Sequence, residues 1–406
     1  MGKIHLSYLV LLAIFIFAVF SGFIIHQASW FNADKHFSLL AESFVHNDLF
    51  LSPYNLPDGD YVDFYGKQYL FFGPLPSIIL MPFVFIWGKN FPQITLSITS
   101  LVAVYLSIFL LCRKLQFTKI DAFWLANFFV FGTVLYFVGL VNISAYVVQV
   151  IGTAFVVLAL LEYFTKRRWL VIGLLIAAAG ATRITLFGMT VFFLSEIIRL
   201  RQKLHLRRSF FLLLIPIIFS ISMLGLYNFR RFHSVFDTGY TYNVSVLNNN
   251  FLNNQEGFFS LKHIPANLYV LLFMPPEPVI KDGAEFVLKF PYLKANYFGM
   301  AIWFTSPLFL YLVKARKVPY TMPAIIGIIF LLIPSLIYFG IGISQFGYRY
   351  SLDFLPLLFL LLATSFKNGL PVFAKILITF GIIFDVFYMS NIWGTYPLLS
   401  FVDYLR

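Results

Sequence analysis

Phe71-Phe72-Gly73-Pro74-Leu75-Pro76-Ser77-Ile78-Ile79-Leu80-Met81-Pro82-Phe83-Val84-Phe85-Ile86-Trp87 is apolar enough to be taken for a membrane span, and whether it crosses sets the orientation of every later helix. Pro74, Pro76 and Pro82 each lack a backbone donor and interrupt helix hydrogen bonding, so an irregular or interfacial helix against the outer face is expected. The basic residues agree. Arg113-Lys114 with Lys119, Lys166-Arg167-Arg168, the run Arg199 to Arg208 and Lys314-Ala315-Arg316-Lys317 all become cytoplasmic if residues 71–87 do not cross. If they did cross, Arg113-Lys114 would lie outside and every later cluster would be inverted, against the positive-inside rule.

Outward from that choice, the apolar runs read as spans at Leu6 to Ile25, Ile94 to Leu111, Ile120 to Val138, Ala145 to Phe164, Trp169 to Ala181, Ile184 to Ile198, Phe210 to Asn228, Tyr297 to Val313, Met322 to Gly340, Phe354 to Phe366 and Val372 to Asn391. That gives about eleven helices, with the N-terminus inside and the C-terminus outside. The expected fold is an all-α polytopic membrane protein, one transmembrane domain over residues 1–406, with interfacial helices in the first outer loop. Two outer segments are long, Gln27 to Pro92 and Phe229 to Asn296, and Asn248-Asn249-Asn250 with Asn253-Asn254 reads as a flexible part of the second. No internal repeat is evident.

Composition supports this class. Of the residues 60% are hydrophobic and 11% charged, and the mean hydropathy is +0.85, far from the soluble average. The net charge of +12 falls in short clusters between spans, so topology accounts for it and no nucleic-acid partner is expected. No small-residue cleavage site follows the first run, which is read as a retained helix. Cys112 is the single cysteine, which excludes an intrachain disulfide and a cysteine metal cluster.

With only 17 acidic residues in the chain, the acids crowded into the first polar loop stand out. Asp34, soon after the first span, is placed where water is scarce and a carboxylate tuned by Lys35 or His36 can take a proton from a hydroxyl. It can equally cap the helix expected to start near His36. Asp58, Asp60 and Asp63 precede Tyr65-Gly66-Lys67, where Lys67 suits the phosphate of a membrane lipid and Asp63 a catalytic acid or base. Plain turn chemistry is the other reading. Arg183, alone between two apolar runs, is costly there and calls for an anionic partner. Arg349 lies among aromatics near Asp353, and Arg230 and Arg231 oppose the positive-inside trend, so each either holds phosphate or pairs within the protein. His233 and His263 are isolated, and no zinc spacing, Walker motif, GxGxxG or GxSxG is present.

In this order, Asp34, the stretch Asp63-Phe64-Tyr65-Gly66-Lys67-Gln68-Tyr69 to Gly73-Pro74-Leu75-Pro76, and Phe346-Gly347-Tyr348-Arg349-Tyr350, the chain resembles the GT-C superfamily of membrane glycosyltransferases. The branch it is similar to holds the protein O-mannosyltransferases and lipid A aminoarabinose transferases. The resemblance implies inverting sugar transfer from a polyprenyl-phosphate donor to a lipid, glycan or protein acceptor, on the membrane face away from the nucleotide pool. It implies Asp34 as general base, with Asp63 taking the second acidic role because Lys35 stands where that family carries Glu. Lys67, Arg183, Arg349, Arg230 and Arg231 are the implied donor-phosphate contacts. No cofactor is required by this scheme; some relatives use a divalent cation, and Asp34 with Asp63 could hold one. The implied location is the bacterial inner membrane. The rival reading is a transporter or flippase for a lipid-linked or anionic substrate, which would place ionisable residues near the bilayer midplane beside broken helices.

Overall fold

The computed structural model describes residues 6–26, 35–51, 60–203, 205–242, 257–280, 287–342 and 345–389. Its helices are α1 (Leu6–His26), α2 (His36–Val45), α3 (Leu75–Trp87), α4 (Ile94–Lys114), α5 (Lys119–Phe131), α6 (Val134–Leu140), α7 (Ser144–Phe164), α8 (Trp169–Thr182), α9 (Thr190–Arg199), α10 (Leu206–Phe232), α11 (Ile264–Leu272), α12 (Ile302–Thr305), α13 (Thr321–Ile337), α14 (Leu355–Ala363) and α15 (Val372–Met389). Two small antiparallel hairpins accompany them, β1 (Tyr61–Phe64) with β2 (Lys67–Leu70), and β3 (Glu277–Ile280) with β4 (Leu288–Lys294). The protein is therefore all-α in class, as its composition led us to expect.

Residues 75–87 form α3, which is capped by Pro74, has Pro76 in its first turn and carries Pro82 inside. Thirteen residues rise only about 20 Å, short of the bilayer core. Ile78, Phe83, Phe85, Ile86 and Trp87 remain exposed on it.

Among the described residues α4, α7 and α10 are long and apolar enough to cross a membrane, and α5 with α6 makes a fourth if read as one span bent by 56°. That bend corrects the run Ile120 to Val138. Thr133 stops the first helix and starts the second, donating its hydroxyl to Phe129 O at 2.8 Å and accepting from Leu135 N at 3.3 Å. Two further runs are not single α-helices. Ile184 to Ile198 opens as a 3-10 turn over Ile184–Met189 because Arg183 is extended, at φ −144° and ψ 113°. Tyr297 to Val313 is broken by Gly299, at φ +91°, and by Pro307, which separates the short α12 from a 3-10 stretch over Pro307–Lys314.

The described chain divides into two compact units of interleaved segments. The first contains α1, α4 from Leu101 on, α5, α6 and the elements from residue 259 on. Here α15 packs against α1, α5 and the Pro307–Lys314 turn, and α13 lies on α14. Tyr136 donates to Ala18 O, and Asn267 donates to Tyr338 O at 2.8 Å while accepting from Tyr348 at 3.1 Å.

The second unit contains α2, the β1–β2 hairpin, α3 and α7 to α10. Its helix α8 packs between α7 and α10. Close approach of apolar helices is made at small residues, which let the backbones come near. Gly173 shows this: a Cβ there would stand 2.4 Å from Leu213 O of α10. At the end of α7 far from the hairpin, fully buried Glu196 accepts from the Tyr163 hydroxyl and from Arg199 Nε at 2.9 Å, and Glu162 accepts from Arg168 Nε at 2.9 Å. These pairs close the polar ends of α7 and α9.

Candidate functional site

At the opposite end of the second unit, the hairpin is set by its turn. Tyr65 and Gly66 both have positive φ, +50° and +74°, the two-residue geometry that matches the twist of paired strands. The register pairs Asp63 with Gln68 and Phe64 with Lys67. Alternation then splits the hairpin into two faces. Val62 and Tyr69 are buried with Phe71 and Phe232, with Phe64 against them. Tyr61 and Leu70, on the other face, join the core of Phe37, Leu40, Leu80, Val147 and Ile151.

This alternation places Asp63 and Lys67 on opposite faces of the hairpin, both exposed, so the acid and cation close in sequence do not form one site with each other. The Lys67 ammonium lies 4.5 Å from the centre of the Phe50 ring. Asp34 and Asp58 lie outside the described residues. The acid that is built into the unit is Asp60, whose Oδ2 accepts from Ala145 N at 3.0 Å. It thereby satisfies a free donor in the first turn of α7, where a negative charge also complements the helix dipole. Next to it, buried His36 contacts Ser144 Oγ through Nδ1 at 2.9 Å. Lys35 is exposed and reaches Asn90 Oδ1 at 3.4 Å.

Residues 70–73, leaving the hairpin, are gripped from two helices. Arg231, near the end of α10, donates from Nη1 to Leu70 O at 2.6 Å and from Nη2 to Asn228 Oδ1 at 2.9 Å. Three residues on, Gly73 rests against the end of α8, where an added Cβ would lie 2.0 Å from Ala181 O and 2.9 Å from Thr182 O. Half-buried Arg183 follows directly in the chain. Because the obstructing atoms are backbone, Gly73→Ala is expected to cost about 3 kcal/mol or more. The check is thermal unfolding in detergent, where the variant should melt well below wild type.

Arg231 is 3% exposed. Its guanidinium carbon sits 3.8 Å from the Tyr227 ring centre and 4.7 Å from that of Phe232. Among the described residues it has no carboxylate within ion-pair distance, and its Nε has no hydrogen-bond partner; the buried Tyr227 hydroxyl has none either. Burial pushes the nearby Tyr69 phenol up, an effect partly offset by the charge of Arg231. Arg230, its neighbour in sequence, is exposed. Beyond the helix, Asp237 accepts from Gly239 N at 2.7 Å, and its negative charge is the main cause that raises the Tyr242 phenol.

Arg349 belongs to the first unit, half-buried, with its backbone N–H on Gln345 Oε1 at 3.3 Å and its guanidinium 5.1 Å from the Tyr350 ring. Sequence reasoning passed over one residue there. Asp385 of α15 is 1% exposed with both carboxylate oxygens unpartnered among the described residues. A lone acid inside an apolar run was the available signal. Among the described residues no group of three or more metal-ligating side chains is present.

No family model, curated protein or solved structure matches the chain.

Proposed function

We propose that this chain is a polytopic membrane glycosyltransferase that moves a sugar from a polyprenyl-phosphate donor to a lipid, glycan or protein acceptor, in the manner of the GT-C enzymes it resembles. The observation that carries the reading is Arg231: a buried cation that, among the described residues, has no carboxylate within ion-pair distance, with Nε and the nearby Tyr227 hydroxyl unpartnered. Such a charge is costly in an apolar setting unless an anion meets it. A phosphate group offers both the charge and the acceptor oxygens, and a polyprenyl tail suits the surrounding lipid.

In this reading the about eleven apolar runs complete a membrane bundle, with α3 interfacial and the hairpin end facing away from the cytoplasm, in a bacterial inner membrane. Asp34 accepts the proton of the acceptor hydroxyl, and Asp63 is the second acid. The acceptor oxygen forms its bond to the anomeric carbon as the bond from that carbon to the phosphate oxygen breaks. The lipid phosphate leaves with the electron pair, its charge stabilised by Arg231 with Arg183. The test is retention of lipid by the purified protein. Polyprenyl monophosphate should bind at least about tenfold more tightly than the matching polyprenol, a difference of about 1.4 kcal/mol. Equal retention of the two lipids would count against the reading.

A transporter or flippase is the second reading, favoured by one specific pair of observations: the buried acid Asp385 and the bent span of α5 and α6.

A further inference from the structure

The first unit holds two electronegative groups within about one helical turn of each other, with no counter-charge among the described residues. One is Asp385, enclosed and with neither oxygen hydrogen-bonded among the described residues. The other is the C-terminal end of α5, the negative end of its dipole, where the helix stops at Gly132 before the 56° bend. They lie on one packing face: a Cβ on Gly132 would stand 3.4 Å from Ile382 Cγ1, and Asp385 is the next turn along the same face of α15. One turn before Asp385, Gly381 packs in the same way against Pro307.

No described side chain supplies the missing positive charge. The elements packed on α15 include α1, α5, α6, α12, the Pro307–Lys314 turn and β4, whose Phe290 ring meets that of Phe387. Their described cations are Lys119, at the start of α5, Lys314, at the far end of its turn over the Tyr311 ring, exposed Lys289, and Lys294, which pairs with Glu277 at 3.1 Å. On α15 itself, Lys375 is engaged with Asp121 at 3.5 Å, ten residues and about 15 Å of helix away from Asp385. An ionised carboxylate beside a helix C-terminus in such surroundings repels rather than stabilises, so the acid is held either protonated or paired with a cation.

We propose that Asp385 and the C-terminal end of α5 at the Gly132 break bind a monovalent metal cation. One carboxylate in an apolar setting balances one positive charge; a divalent ion would need more carboxylate ligands than the site contains. Carbonyls at a helix end that have no intrahelical donor are the other ligands such an ion uses; Phe128 O and Phe129 O are already engaged there, by Gly132 N and the Thr133 hydroxyl. The inference does not depend on the glycosyltransferase reading.

The experiment compares thermal unfolding of the purified full chain in NaCl and in choline chloride at equal ionic strength. Sodium should raise the melting temperature of wild type by about 3 to 5 °C, saturating with concentration. Asp385→Asn, which keeps the shape and removes the charge, should melt at the same temperature in both salts. Should that variant fail to fold, equilibrium binding of radioactive sodium to wild type decides the matter, with one ion per chain expected. A wild-type melting temperature indifferent to sodium, a sodium response that survives in Asp385→Asn, or no bound sodium would each overturn the proposal.

Discussion

Arg231→Gln is expected to remove retention of polyprenyl monophosphate and to lower sugar transfer by about 100-fold, the equivalent of about 2.7 kcal/mol. The size follows from the setting. A hydrogen bond to a charged group is worth about 1.5 to 3 kcal/mol, and the guanidinium is 3% exposed, so water does little to screen it. The glutamine amide still has a donor for Leu70 O, which keeps residues 70–73 attached to α10 and lets the variant fold. Arg231→Lys should fall between the two, since it retains the charge but not the planar fork that serves Leu70 O and Asn228 Oδ1 together. Comparing kcat/KM per folded molecule with the melting temperature separates the roles. If stability drops while kcat/KM per folded molecule holds, Arg231 serves only to anchor the hairpin. Tyr227→Phe, which removes only the unpartnered hydroxyl, should weaken lipid-phosphate retention several-fold without lowering stability.

Glu196→Ala is expected to give a large loss of stability with no effect on lipid-phosphate affinity. Glu196 is fully buried and accepts from both Tyr163 and Arg199, so its removal leaves a buried hydroxyl and a cation without their acceptor. Breaking a buried pair costs about 3 to 5 kcal/mol, but the Arg199 side chain is 31% exposed and partly solvated, which puts the expectation near about 2 to 3 kcal/mol. Thermal unfolding should show a fall of about 3 °C. The separation of effects comes from distance. Tyr163 stands at the far end of α7, a helix of 21 residues and about 31 Å, from the hairpin contact at Ala145. A changed affinity for lipid phosphate in this variant would mean that the two ends of the unit are energetically linked.

Some of this structure is legible in the amino-acid order because single local signals decide it. The helices α1, α4, α7, α8 and α10 begin and end within a few residues of their apolar runs. The prolines of α3 foretell a short helix, and Tyr65-Gly66 foretells a turn. The break at Gly132-Thr133 is hidden, because glycine and threonine occur within unbroken membrane helices and only the Thr133 hydrogen bonds mark the end of one. Gly299 and Pro307 were open signals against one helix over Tyr297 to Val313, outweighed there by hydropathy alone.

The site residues divide in the same way. Asp63 and Lys67 looked like neighbours because they are four apart; paired strands, with side chains alternating, send them to opposite faces. Arg230 and Arg231 cannot be ranked from sequence, since adjacent helical positions differ by about 100° and only tertiary packing shows that Arg231 faces inward. Asp60 gains its importance from Ala145, 85 residues away, a contact that no local pattern encodes. Asp34, the expected base, lies outside the described residues, so its role rests on its place in the sequence and on the family resemblance.

The most direct measurement is sugar transfer from a panel of radiolabelled polyprenyl-phosphate sugars, in membranes carrying wild type or Asp34→Asn at equal protein level. The account predicts transfer by wild type from at least one donor and a collapse in Asp34→Asn of about 100-fold or more, within the range of a lost general base. Transfer unchanged by Asp34→Asn would remove Asp34 as the base, and no transfer from any donor would contradict the glycosyltransferase reading itself.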